Sequence, residues 1–148
     1  METLLYLISN FRNAIDKAKS DGRFSKYSYF RDFPIGCCGT TSDILGTYLL
    51  EKGIHTRYVC GIYRGSGFEN TQSHAWLILD DSTIIDITGD QFKYNELFYN
   101  NNEKVYVGKK NKFYKLFEED FPPHEIYCLN HDEKMLLNII KEYLKLGE

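Results

Sequence analysis

The sequence predicts an α+β chain in which a helix bearing a candidate nucleophile packs on an antiparallel β-sheet. Three observations carry that expectation. Apolar residues recur every three or four positions near both ends of the chain. A further apolar helical run begins at two adjacent cysteines, Cys37 and Cys38. Between these helices lie short runs of β-forming residues separated by turn chemistry.

Taken in order, Leu4, Leu5, Ile8, Phe11, Ile15 and Ala18 define an amphipathic helix ending near Ser20-Asp21-Gly22. Residues 23–35 are aromatic and irregular, and Pro34 biases Phe33 toward an extended backbone. The second helix is expected from Cys38 to Lys52, with Gly53 as its C-terminal stop and Ile44, Leu45, Tyr48 and Leu49 as its apolar face. Strands are expected over 56–63, 73–79 and 83–88, the last two as a hairpin around Asp80-Asp81-Ser82. Two more are expected at 104–107 and 124–129. A final helix starts at Asn130, with Glu133 three residues on as its capping partner. Its core face reads Met135, Leu136, Ile139, Ile140, Tyr143 and Leu144. No repeat, linker or low-complexity stretch divides the 148 residues, so one domain is expected.

Composition narrows the function. A formal net charge of -3 with scattered Lys and Arg argues against a nucleic-acid partner. No apolar stretch approaches the ~20 residues of a membrane span. The start of the chain lacks a basic segment followed by an apolar run, so no secretory leader is expected. Four cysteines, two of them adjacent, make a poor disulfide framework, and free thiols in a reducing, cytoplasmic setting are expected.

Chemistry concentrates in three segments. Phe33-Pro34-Ile35-Gly36-Cys37-Cys38-Gly39 places Cys38 at a helix start, where the helix N-terminus and a nearby imidazolium lower a thiol pKa. Gly36 and Gly39 let backbone N–H groups approach a substrate carbonyl, as an oxyanion hole requires. A cysteine at a helix start is, however, more often a small buried hydrophobe. The hairpin changes the balance. It puts Ala75, Leu77, Leu79, Ile85 and Ile87 on one apolar face, and His74, Trp76, Ile78, Ile84, Asp86 and Thr88 on the other. A loop centred on Asp80 sets His74 directly opposite Asp86, with Cβ atoms about 5 Å apart. One centred on Asp81 leaves them diagonal on the same face, and a two-residue loop separates them. A half-buried carboxylate in Ile84-Ile85-Asp86-Ile87-Thr88 needs a partner, and the imidazole supplies one.

The order Cys, His-Ala-Trp and Asp resembles the papain-like and transglutaminase-like cysteine enzymes, in particular small bacterial proteins of that class. The resemblance covers about residues 30–92 and implies a papain-like fold. It implies Cys38 as nucleophile, His74 as general base and Asp86 as the acid that orients it. Papain-like proteases carry a glutamine oxyanion donor about half a dozen residues before the nucleophile. Here Asp32 stands near that place, and an anion cannot donate. Gln91 is the side-chain alternative if its loop folds back, with the Cys38 backbone N–H as the other donor. Cys37 is the rival nucleophile, disfavoured because Cys38 has the glycine-flanked position.

Trp76 either shields the His–Asp pair from water or is ordinary core. His124, Cys128, His131 and Cys60 do not have the spacing of a zinc site, so no metal or cofactor is expected. His55 is expected at the surface. The segment 64–72 is expected as a flap beside the site, with Glu69, Asn70 and Gln72 as candidate lining residues. The expected activity is a thiol hydrolase, protease, deamidase or acyltransferase, attacking an amide, isopeptide or thioester carbonyl of a protein, peptide or small amide. The alternative is a papain-like binding or scaffold module without turnover.

Overall fold

The computed structural model describes residues 2–65 and 71–147, and the whole is an α+β arrangement. Its elements run α1 (Glu2–Ser20), α2 (Cys38–Glu51), β1 (Arg57–Tyr63), β2 (Gln72–Ile78), β3 (Ile84–Asp86), β4 (Tyr106–Gly108), β5 (Glu118–Glu119), β6 (His124–Glu125) and α3 (His131–Leu146). The strands form one antiparallel sheet in the order β4-β3-β2-β1-β5, with β6 also pairing β1.

Each helix ends where its chemistry directs. At α3, Asn130 accepts from the Glu133 backbone N–H while the Glu133 carboxylate accepts from the Asn130 N–H, both at 2.9 Å. After α2, Gly53 takes φ +80°, which an L side chain resists. The helical faces depart from expectation in two places. Leu5 is exposed and Ala14 is buried instead; Met135 is exposed and Leu137 is buried. Each helix exchanges one position at the edge of its apolar stripe, which a three-four count does not define. The strand expected over 124–129 is only the two residues of β6, and residues 21–36 form successive turns.

The β2–β3 register pairs Leu77 with Ile85 and Ile78 with Ile84, so the loop is centred on Asp81 and the diagonal arrangement is the one adopted. Leu77, Ile85 and Ile87 face a core shared with α1, α2 and α3. The opposite face is covered as well. Trp76, Ile84 and Val59 pack there against Phe92, Phe98, Phe113, Tyr114 and Phe117, which come from the turns and short 3₁₀ segments between Gly89 and Phe117. A sheet buried on both sides can hold a charged pair away from water.

Candidate active site

Cys38 is the first residue of α2, and α2 packs against β2. Gly36, at φ +70°, turns the chain into the helix in a conformation that side chains rarely adopt. Gly39 is small for a different reason. A Cβ there would stand 3.2 Å from the Tyr58 hydroxyl, so the glycine lets β1 close on the start of the helix. The first amides of any helix lack an intrahelical acceptor and carry partial positive charge, which favours an anion beside them.

On β2, His74 is fully buried, and its Nε2 lies 2.7 Å from Asp86 Oδ2. A carboxylate only accepts, so Nε2 carries the proton and Nδ1 is the nitrogen left for chemistry. Asp86 is saturated with donors. Oδ2 also accepts from the Tyr114 hydroxyl at 2.8 Å. Oδ1 accepts from the Thr88 N–H at 2.9 Å and the Thr88 hydroxyl at 3.3 Å. Burial alone raises a carboxyl pKa, but the charge and hydrogen bond of His74, with Thr88 and Tyr114, outweigh it and hold Asp86 below its ordinary value. For His74, burial disfavours the charged form, whereas Asp86 favours it more strongly and Cys38 adds to it; the balance raises the imidazole to about 9.

The Cys38 thiol is shifted the other way. Burial opposes its ionisation, yet the hydrogen bond and charge of His74 and the backbone N–H of Ala75 prevail, so its pKa lies below that of an ordinary cysteine. The sheet leaves space for this contact. Continued in register, β3 would bring Ile87 opposite Ala75, but the strand ends at Asp86. Cys37 contrasts with its neighbour. It is buried, with its thiol directed at the carbonyls of Ile35 (3.3 Å) and Tyr29 (3.5 Å), and burial pushes its pKa up to about 12.

Trp76 is buried with its ring centroid 5.5 Å from that of His74, so it is both core and cover for the imidazole. Phe92, Phe113 and Phe117 also lie within 6 Å of it by centroid. Gln91 folds back on the site: its Nε2 lies 3.2 Å from His74 Nδ1 and 3.1 Å from the Thr88 carbonyl. Residues 66–70 of the expected flap, including Glu69 and Asn70, lie outside the described residues, and Gln72 is exposed at the start of β2. His55 is exposed, as expected, and bridges Asp80 at 3.0 Å and Glu125 at 2.6 Å there.

Two groups that sequence reasoning missed shape the site. Tyr114 is one. The other is Arg12 of α1, buried, whose Nη1 and Nη2 bind the two Asp90 oxygens at 2.8 and 2.9 Å. Nη1 also donates to the Ile87 carbonyl at 2.8 Å. One guanidinium therefore clamps both sides of the segment that carries Thr88. A signal was present: Arg12 lies four residues after Ile8 and three before Ile15, inside the apolar stripe of α1.

Compared with protein-family models, curated proteins and solved structures, the chain matches none. No helix among the described residues is long and apolar enough to cross a membrane.

Proposed function

We propose that this chain is a papain-like, transglutaminase-like cysteine enzyme that cleaves or transfers an acyl group through a covalent thioester on Cys38. One observation carries the reading: a buried His74–Asp86 couple at 2.7 Å, whose remaining imidazole nitrogen serves a helix-start thiol of lowered pKa. Binding alone does not call for a nucleophile, a base and a saturated buried acid in that arrangement.

His74 Nδ1 takes the thiol proton as Cys38 Sγ attacks the substrate carbonyl carbon. The oxyanion that forms is stabilised by backbone amides at the start of α2. The imidazolium then returns its proton to the leaving amine or thiol as the bond to carbon breaks, which leaves the thioester. Water or an amine attacks the thioester, gives its proton to His74, and expels the Cys38 sulfur. Asp86 stays ionised throughout and compensates the imidazolium. With water the net reaction is hydrolysis or deamidation; with an amine it is transfer. An amide, isopeptide or thioester substrate suits this cycle.

The test is alkylation by iodoacetamide at mildly acidic pH, together with an acyl-reactive probe, the modified residue being mapped by mass spectrometry. Wild-type Cys38 should react far faster than a model thiol. Cys38→Ala and His74→Ala should abolish acylation with the fold retained. Asp86→Asn should show a smaller, graded loss, because an amide oxygen still orients the imidazole. An ordinary rate at Cys38, insensitive to His74→Ala, would leave the protein as a scaffold module without turnover.

A further inference from the structure

The Gln91 carboxamide has a role that a simple triad does not need. Its Nε2 faces the Thr88 carbonyl at 3.1 Å, an atom that only accepts, so the nitrogen assignment is fixed by chemistry. The same nitrogen lies 3.2 Å from His74 Nδ1. A donor can bond to that ring nitrogen only while its in-plane lone pair is free, which means while the imidazole is neutral. Once Nδ1 carries a proton, two N–H groups confront each other.

We infer that Gln91 is a positioning residue that latches His74 in its neutral, proton-accepting form and so limits the basicity that Asp86 imposes on it. This rests on His74 acting as the base of the proposed enzyme. The reason for such a latch is kinetic. A buried imidazole gripped by a carboxylate becomes a strong base that returns its proton to a leaving group reluctantly, and a general acid–base works best with a pKa near the operating pH. A donor aimed at Nδ1 counteracts the carboxylate from the other side of the ring. The carboxamide also competes with the thiol for that lone pair, so proton transfer from Cys38 displaces the latch.

The latch is anchored away from the reacting atoms. Thr88 N–H binds Asp86 at 2.9 Å while Thr88 O receives Gln91, and Arg12 grips Ile87 O and Asp90 on either side. Five rings close the rest of the space around His74: Trp76, Phe92, Phe113, Tyr114 and Phe117. The titratable groups facing the imidazole are Asp86 from β3, Cys38 from α2 and Tyr114, whose ring stacks on it at 6.5 Å and whose hydroxyl donates to Asp86.

The experiment is an NMR titration of the His74 imidazole in a Cys38→Ala background, so that a single proton is followed. It compares Gln91 with Gln91→Met and with Gln91→Glu. Removing the donor should raise the His74 midpoint by about 0.5–1 pH unit, the equivalent of one ordinary hydrogen bond. Glu, which places an acceptor there, should raise it further. In the Gln91 protein the neutral ring should carry its proton on Nε2. A merely structural role predicts the opposite sign, because a loosened His74 loses its hold on Asp86 and drifts down toward ~6.5. An unchanged or lowered midpoint in Gln91→Met overturns the latch, and if that variant does not fold, a midpoint in Gln91→Glu no higher than with Gln91 overturns it equally. If instead His74 titrates near ~6.5 with Gln91 present, the His74–Asp86 couple itself is refuted, and the proposed activity with it.

Discussion

The two faces of β2 are buried by different means. Toward α1, α2 and α3 the sheet presents Leu77, Ile85 and Ile87 to an interior rich in aliphatic residues, with the buried Arg12 of α1 at its edge. Toward the 89–117 segment it presents His74, Trp76 and Asp86 to a layer of aromatic rings. The aliphatic face is held by regular helices whose position follows from periodicity. The aromatic face is held by irregular turns fixed by specific polar contacts such as the Arg12–Asp90 pair. Both faces stabilise the sheet, and the aromatic one also gives a buried charge pair a low-dielectric setting in which its hydrogen bond is strengthened.

That contrast breaks most visibly under truncation of one residue per face. Ile140→Ala on α3 and Phe117→Ala against His74 each leave a cavity in a fully packed layer. Losses of about 2–5 and 3–5 kcal/mol are expected in chemical denaturation. Their effects on the thiol should diverge. Cys38 alkylation should be unchanged in Ile140→Ala and slowed in Phe117→Ala, where water reaches the imidazole and weakens its bond to Asp86. Equal slowing in both would mean that the two faces act as one packing unit.

A smaller effect sharpens the same contrast. Tyr114→Phe removes a neutral donor from Asp86 and keeps the ring in the aromatic layer. A hydrogen bond to a charged group contributes about 1.5–3 kcal/mol, so that much loss is expected at neutral pH. The sign with pH follows from the depressed Asp86 pKa. A carboxyl held below its unfolded value adds stability above ~3.9, and that stability is lost as pH falls through the folded pKa. Weakening the depression should move the acid-unfolding midpoint to higher pH. No movement would mean that Asp86 draws its stabilisation from His74 and Thr88 alone.

What could be read in advance divides along the same line. Cys38, His74 and Asp86 were legible because each lies in a short motif on a regular element, and strand alternation alone put the last two on one face. Cys38 and His74 are brought together by packing, but the helix-start and hairpin patterns pointed to both. Gln91 was legible as a residue near the site, not as a donor to His74 Nδ1, since that depends on how a 3₁₀ turn closes. Tyr114 was out of reach, and for Arg12 the stripe of α1 signalled burial but not the partner. Their partners lie 28 and 78 residues away in sequence, and no periodicity connects an irregular segment to the charge it covers. Leu5 and Met135 failed for a simpler reason, because a three-four count does not define the edges of a helical stripe.

The smallest effect expected belongs to the adjacent pair of cysteines. Cys37 and Cys38 share a helix start, so the helix field acts on both and cannot by itself distinguish them. Their surroundings do. The Cys37 thiol points into the aliphatic core at two carbonyl oxygens, which favour the protonated form, and burial pushes its pKa up to about 12. Cys38 meets a raised imidazole and the Ala75 N–H, both of which favour the thiolate. In Cys37→Ser the hydroxyl can donate to the same carbonyls, so the stability cost should be at most about 1 kcal/mol. The rate and pH profile of Cys38 alkylation, followed by mass spectrometry of the labelled peptide, should not move. If Cys37→Ser removed the fast-reacting thiol while Cys38→Ala kept it, the nucleophile would belong to the core side of the helix start, and the division of labour between the two faces would fall with it.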